Sequence, residues 1–172
     1  MAFVHLHNHT EYSLLDGATK VYDMVKRAAD LGMPAVAITD HGVMSGVPEL
    51  ADACDKVKAE TGTWVKPIFG CEIYFTTDSS LKKEGKQKLH HMILLAKNNT
   101  GYHNIVKLVS ESHVDNFYYR PRTTFEMLEK YSEGVIATSA CIAGIIPRCV
   151  DAGKIDEAIE WAKKLSALYE LS

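Results

Sequence analysis

The chain has 172 residues, a formal net charge of −3, a pI of about 6.2, and 47% hydrophobic and 24% charged residues. This composition is that of an ordinary soluble globular protein with room for one substantial core and one domain. The slightly negative net charge excludes a broad basic surface of the kind that binds nucleic acid. If nucleic acid is a substrate, bound metal ions are needed to hold its phosphates.

Targeting signals and disulfides are also excluded. No apolar run approaches the ~18 residues that a membrane helix needs, and the N-terminus MAFVHLHNH lacks the cationic and apolar regions of a secretory signal. The four cysteines show no CxxC spacing, which favours free thiols in a reducing compartment. We therefore expect a cytoplasmic protein without membrane contact.

The first half of the chain alternates short apolar strands with amphipathic helices. Strands are predicted over 3–7 (FVHLH), 34–41 (PAVAITDH) and 64–75 (WVKPIFGCEIYF), with helices over 18–31 and 48–61 between them. Such alternation predicts an α/β fold with parallel strands.

The second half breaks this pattern at residues 77–89, which are polar and too weakly periodic for a crossover helix. The strand HMILLAKN (91–98) is therefore expected to return antiparallel to the strand before it. The stretch KKEGKQK could touch DNA, but a solvated loop is the preferred interpretation. The remaining predicted elements are a helix over 100–112, a helix over 126–131 opened by a capping box at 123–126, a strand over 134–140 and a helix over 154–170.

The number of strands is small for a closed barrel. A barrel of alternating strands and helices typically needs about 250 residues, and this chain supplies strands for about two-thirds of one. The sequence is therefore interpreted as a fragment.

Histidines at alternate positions mark the first predicted strand. His5, His7 and His9 share one face because successive side chains of a strand alternate, and Val4 and Leu6 face the other way, towards covering helices. Buried imidazoles are costly unless they bind a metal or a hydrogen-bond partner. A polar strand face with hydrated histidines is the alternative.

Other candidate ligands follow the remaining strands. His41 ends the second strand, Glu72 lies towards the end of the third, and Cys141 follows the fifth. These three residues lie near the C-terminal ends of their strands. His91 lies at the same edge if its strand runs antiparallel, and Asp16 lies just past the first strand. Active sites of α/β barrels gather at this end. For Asp16 alone, a turn or helix-capping role is an equally good interpretation.

The chemistry of these groups favours metal binding. Imidazoles, carboxylates and a thiolate suit Zn²⁺, with Mn²⁺ or Fe²⁺ as alternatives where oxygen ligands are numerous. Seven candidate ligands suffice to bind two ions and still leave coordination positions open for water. Paired divalent ions commonly catalyse phosphoester hydrolysis, and Asp16 or Glu72 would suit a bridging role.

Ordered motifs carry a family resemblance. The segments HLHNHT, LLDGA, TDHG, GCEIY, HHMILLAKNNTGY, YYRPR and SACIAG occur in this order along almost the whole chain. The chain resembles the PHP (polymerase and histidinol phosphatase) domain family, and most closely the N-terminal PHP domains of bacterial DNA polymerase III α subunits. The resemblance implies an α/β fold, a distorted (β/α)₇ TIM-like barrel, truncated here so that residues 1–172 form the N-terminal part of one PHP domain of a larger polymerase.

The resemblance also implies a trinuclear metal site. The implied ligands are His7, His9, Asp16, His41, Glu72, His91 and Cys141, with catalytic roles expected for Asp16, Glu72 and His91. The family completes its site with a downstream Asp-x-His motif that these 172 residues do not contain. We therefore expect up to three divalent ions in the intact domain, Zn²⁺ first among them, and fewer here.

The implied function is a multinuclear metal-dependent phosphoesterase with 3′→5′ exonuclease activity in DNA replication, as part of a DNA-directed DNA polymerase. Expected partners are the primer 3′ end of DNA, the remaining polymerase domains, and replisome subunits such as a proofreading exonuclease and the sliding clamp. Two alternatives stay open, namely a metal-stabilised scaffold and interaction domain without activity, and a stand-alone phosphoesterase of the histidinol-phosphatase type.

Several nearby residues receive other roles. His5 is expected about two strand steps deeper than the ligands, as a supporting or core hydrogen-bonding residue. Cys71 is expected to be packed, and Asp40 to orient a ligand. Arg120 and Arg122 could clamp a phosphate, although a surface pair is the preferred interpretation. His103 and His113 are expected at the surface.

Overall fold

The computed structural model describes residues 3–78 and 88–169 in two compact units, Met1–Cys71 and Glu72–Ser172. Helices and strands build both units, so the predicted α/β class is confirmed. Most of the predicted 77–89 loop, including all of KKEGKQK except its last residue, lies outside the described residues. Among the helices that are described, none is both long and apolar enough to cross a membrane.

The first unit forms around a short buried strand. Its elements are α1 (Val21–Asp30), β1 (Ala35–Ile38), α2 (Val47–Thr61) and the first part of β2 (Lys66–Phe75). All four residues of β1 are buried, and β1 pairs in parallel with β2 so that Ala35 lies opposite Lys66. Helix α2 ends at Gly62, whose φ of 74° is one that glycine adopts without strain. These elements confirm the predicted order.

The prediction of a regular strand over 3–7 is wrong, because these residues form no continuous ladder of backbone hydrogen bonds. Only an isolated parallel bridge joins His5 to Val36, and Leu6 is 42% exposed instead of covered by helices. The Asn8 side chain explains the interruption, because its amide donates to the carbonyls of His5 and Ala37 at 3.2 and 3.0 Å. A side-chain amide thus competes with the backbone bonds of a continuous strand.

The second unit contains the end of β2 and most of the sheet. Its strands follow the order β4-β5-β2-β3-β6. β5 runs parallel to β2 and β6 antiparallel to β3. β3 is a neighbour of β2 as predicted, and the antiparallel direction of that pair stays a prediction. The elements that follow β2 are β3 (His90–Ala96), α3 (Asn99–Val114), β4 (Phe117–Tyr118), β5 (Arg120–Thr123), α4 (Phe125–Lys130), β6 (Val135–Thr138), α5 (Ile145–Asp151) and α6 (Ile155–Leu168).

The YYRPR segment forms a small hairpin that was not predicted. β4 and β5 pair antiparallel around Tyr119, which has a φ of 58°. Arg122 is only 2% exposed, so its predicted surface position is wrong. Its Nε donates to the Asn116 carbonyl at 2.9 Å, and its guanidinium lies 5.6 Å from the ring centre of Tyr118. These contacts offset part of the cost of burying the guanidinium charge.

The predicted capping box at Thr123 is also wrong. Helix α4 has Thr124 as its N-cap and makes no side-chain capping bond. Thr123 instead ends β5, where its carbonyl accepts from Thr76 N at 2.9 Å. Strand pairing therefore outweighs the local capping preference at this position.

Helix α5 was not predicted either, because its seven residues are too few to show a helical period. Pro147 lies in its first turn, where a missing N–H costs no helical hydrogen bond. Gly144 precedes the helix, and a Cβ there would stand 2.1 Å from the Ser139 carbonyl oxygen. The close turn thus requires glycine.

We predict that His90 makes stability depend on pH. It is 5% exposed, and burial, followed by the charges of Arg148 and Lys88, lowers its pKa from 6.5 to about 4. Between these values the unfolded chain binds more protons, so the free energy of unfolding should fall as pH decreases from 6.5 to 4, by up to about 3 kcal/mol.

Urea unfolding from pH 4 to 7 checks this. His90→Gln should flatten the dependence, whereas His103→Gln, at an exposed position on α3, should retain it. Equal pH slopes in wild type and His90→Gln would refute the assignment.

Candidate functional site

Four predicted ligands of the first unit lie together. His9 uses both ring nitrogens, with Nε2 3.2 Å from His7 Nε2 and Nδ1 2.7 Å from Asp16 Oδ2. The same Asp16 oxygen lies 3.1 Å from His41 Nε2. One ligand atom from each of His9, Asp16 and His41 falls within 4.8 Å of the others, a spacing that could hold a metal ion. Asp16 is 42% exposed, so solvent reaches the group.

A tight turn presents Asp16 to the histidines. The Ser13 carbonyl accepts from Asp16 N at 3.1 Å and from Gly17 N at 2.8 Å, and Ser13 N donates to the Thr10 carbonyl. A Cβ on Gly17 would stand 1.7 Å from the Thr10 oxygen, so only glycine fits. Helix α1 begins at Val21 with Lys20 as its N-cap, so Asp16 does not cap it. Of the two local roles considered for Asp16, a turn and a helix cap, the turn is observed.

Asp40 anchors the start of this turn. Its carboxylate is 1% exposed and accepts from Thr10 N at 2.6 Å and from Thr10 Oγ1 at 2.8 Å. Burial raises the pKa of Asp40 despite these bonds. Ser13 Oγ in turn accepts from His41 N at 2.9 Å. Thr10 and Ser13 were not among the predicted site residues, although hydroxyl residues shortly after HLHNH are typical of such a turn.

The electrostatics of Asp16 favour its ionised form. Burial would raise its pKa, but the hydrogen bond and charge of His9 and the charge of His41 outweigh burial and lower it. An ionised carboxylate between two imidazoles is the form that binds a divalent cation. The donors present in the first unit therefore fit a metal ion.

A second group of predicted ligands lies in the second unit. His91 Nδ1 is 2.7 Å from Glu72 Oε1 and 3.5 Å from the Cys141 Sγ. The thiol also lies 3.9 Å from the same Glu72 oxygen. Glu72 is 1% exposed, so this carboxylate needs a positive partner. An imidazole, a carboxylate and a thiol are ligands that suit zinc.

The turn after β6 positions Cys141. Ala140 has a φ of 58°, a left-handed conformation that costs a non-glycine residue free energy. The Cys141 carbonyl accepts from Gly144 N at 2.9 Å, and its Sγ accepts from Ala143 N at 3.4 Å. The turn thus fixes the direction of the thiol at the cost of local strain.

The other expectations had mixed outcomes. His5 is exposed and its ring lies 4.7 Å from that of Phe3, so its predicted deeper position is wrong, because the interrupted strand leaves it uncovered. Cys71 is fully buried, as predicted. His103 and His113 are exposed, as predicted.

Comparison with known proteins decides the family. The model of the PHP domain matches residues 5–170. The chain belongs to the PHP domain family. The DNA polymerase III subunit α of Borreliella burgdorferi is 46% identical over 170 residues, covering 95% of this chain and 14% of that protein. The corresponding subunit of Aquifex aeolicus is 41% identical over 175 residues, covering 97% and 15%.

The chain thus spans about one seventh of the length of these relatives. Among solved structures, a candidate metal-dependent phosphoesterase from Bifidobacterium adolescentis is 24% identical, with a TM-score of 0.42, covering 65% of this chain and 34% of that one.

We predict that Gly17→Ala impairs metal binding. The added methyl group would collide with the Thr10 carbonyl and displace the turn that carries Asp16. Zinc affinity, measured by competition with a chromophoric chelator, should fall at least about tenfold, the scale seen when groups that orient ligands are lost. Leu14→Ala, at a 90% exposed position of the same turn, is the control and should bind zinc as wild type does. Unchanged affinity in Gly17→Ala would contradict the role given to the turn.

Proposed function

We propose that this chain is part of the PHP domain of a bacterial DNA polymerase III α subunit, and that the intact domain is a metal-dependent phosphoesterase that releases nucleotides from primer 3′ ends. The observation that carries the proposal is the grouping of His9, Asp16 and His41 around one carboxylate oxygen. A nearly neutral chain has no basic field to hold phosphates, so a bound cation supplies that attraction.

The proposed ligands in the first unit are His7, His9, Asp16 and His41. The Nε2 atoms of His7 and His9 approach each other, as two imidazoles do when they share an ion. Asp16 holds a negative charge between His9 and His41 and is the proposed bridging carboxylate. A bound divalent ion would polarise a phosphoryl oxygen and lower the pKa of water.

The proposed ligands in the second unit are Glu72, His91 and Cys141. Glu72 Oε1 contacts His91 Nδ1 and so aligns the imidazole ring. Glu72 and His91 are the proposed groups that hold or move a proton during hydrolysis. Zn²⁺ fits the thiol-containing set best, and Mn²⁺ or Fe²⁺ suits the imidazole–carboxylate set.

The proposed partners follow from the relatives, which are named as DNA polymerase III α subunits. We propose that the remaining domains of such a polymerase adjoin this chain, and that DNA is the substrate. Contacts with a separate proofreading exonuclease and the sliding clamp extend the same proposal.

The test is a primer-degradation assay on the longest natural chain that contains this sequence. Nucleotide release from a labelled primer 3′ end should require added Mn²⁺ or Zn²⁺. His9→Ala should lower the rate at least about 100-fold, because it removes a proposed ligand. His103→Ala, at an exposed position on α3, should leave the rate unchanged.

Two results would contradict the proposal. Full activity in His9→Ala would assign the release to another part of the chain. Metal binding without release of nucleotides from any primer would instead favour a scaffold role, and hydrolysis of small phosphomonoesters alone would favour the histidinol-phosphatase type.

A further inference from the structure

The YYRPR segment brings an arginine close to the candidate ligands of the second unit. Arg120 is the first residue of β5, and its guanidinium carbon lies 5.4 Å from the ring centre of Tyr74 on β2. The Tyr74 ring makes an edge-to-face contact with the His91 ring, with 5.4 Å between the ring centres. His91 Nδ1 is the atom that lies 2.7 Å from Glu72 Oε1. A single aromatic side chain therefore links the guanidinium to a proposed metal ligand.

The backbone around Arg120 restricts the direction of its side chain. Tyr119, with a φ of 58°, closes the hairpin in which Arg120 pairs with Tyr118. Pro121 is buried and confines the residue before it to an extended backbone. Stacking on an aromatic ring orients a guanidinium and leaves its N–H groups free to donate. A side chain ordered in this way loses little further conformational entropy when it binds a ligand.

The hydrogen-bond donors of Arg120 are available to a ligand. A guanidinium has five N–H groups and stays charged in proteins. Within residues 3–78 and 88–169, the side chain of Arg120 has no carboxylate or carbonyl partner. Arg122 differs, because it is 2% exposed and its Nε donates to the Asn116 carbonyl. Arg120 is half-buried, so solvent reaches it, and it is the arginine of this segment that can meet a substrate.

The expected substrate needs such a cation. A DNA strand carries one phosphate per nucleotide. Ions bound by Glu72, His91 and Cys141 would hold the phosphate that reacts, and its neighbours along the strand would still need positive partners. The chain has a net charge of −3, so no broad basic surface supplies them. A cation placed next to the ligand group meets this need locally.

We propose that Arg120 binds a backbone phosphate of the DNA strand whose 3′ end is degraded. Its guanidinium donates to the non-bridging oxygens, a charge-assisted and bidentate contact that suits phosphate. The inference rests on the proposed function and makes Arg120 a residue that selects a polynucleotide as substrate. The phosphate is either the one that reacts or the next one along the strand, and the two cases differ in the test below.

The test is steady-state hydrolysis of two short substrates, TpT with one phosphate and TpTpT with two, by the longest natural chain that contains this sequence. Arg120→Gln should raise the KM for TpTpT about tenfold, because a charge-assisted contact with phosphate is lost. An equal rise with TpT assigns the contact to the reacting phosphate, and an unchanged KM with TpT assigns it to the next phosphate. The slope of log KM against log salt concentration should decrease by about 1.

Two variants control for charge and for stacking. Arg120→Lys keeps the charge without the planar pair of N–H groups, so it should recover part of the affinity for TpTpT. Lys164→Gln removes an exposed cation that lies 4.9 Å from the ring centre of Trp161 on α6, and it should leave both substrates unaffected. Arg120→Gln should also bind zinc as wild type does. Weaker zinc binding with an unchanged KM would instead show that Arg120 only supports Tyr74 and His91, and would overturn the proposal.

A second measurement does not depend on catalysis. Phenylglyoxal modifies guanidinium groups, and mass spectrometry of the wild-type chain gives the extent of modification at Arg120. Saturating TpTpT should slow this modification several-fold, whereas thymidine, which has no phosphate, should not. Protection of Arg120 without hydrolysis would support this contact and refute the proposed nuclease activity.

The opposite result separates the two claims in the other direction. Hydrolysis without protection of Arg120, and with an unchanged KM in Arg120→Gln, would overturn the contact and leave the proposed function standing. Absence of both hydrolysis and protection would refute both.

Discussion

One carboxylate oxygen organises the first unit's candidate site. Asp16 Oδ2 lies within hydrogen-bond distance of both His9 and His41, which come from distant parts of the sequence. It reaches them because the turn behind it closes on the Thr10 carbonyl with no room for a side chain at position 17. The Asp40 carboxylate holds the start of this turn by accepting hydrogen bonds from Thr10. A buried carboxylate therefore holds the turn, and the turn presents the exposed carboxylate to the histidines.

The alternation of β3 gives its first two histidines different surroundings. His91 contacts Glu72 and Cys141, a set of ligands suited to a cation. His90 is buried, and burial together with the charges of Arg148 and Lys88 lowers its pKa. Adjacent histidines that look equivalent in the sequence thus have different partners because a strand sends neighbouring side chains to opposite faces.

The sequence predicted the elements that have long periodic patterns, and it selected candidate ligands that lie close together within each unit. Helices α1, α2, α3 and α6 carry clear apolar stripes, and the predicted ligands of each unit lie beside one another within that unit. Prediction from the sequence failed where a single side chain changes a local pattern. Asn8 interrupts the first strand, and strand pairing at Thr123 displaces the predicted cap by one residue. Burial of Arg122 depends on contacts with Asn116 and Tyr118 that no local pattern shows.

Binding of divalent metal ions by the predicted ligands can be measured in crystals of the chain grown with Zn²⁺, with data collected on both sides of the zinc absorption edge. We expect an anomalous peak within about 2.0–2.2 Å of at least one nitrogen of His9 or His41 and one oxygen of Asp16. The peak should be lost in Asp16→Ala with the fold retained. Crystals with no such peak at saturating Zn²⁺ or Mn²⁺ would contradict metal binding by these ligands.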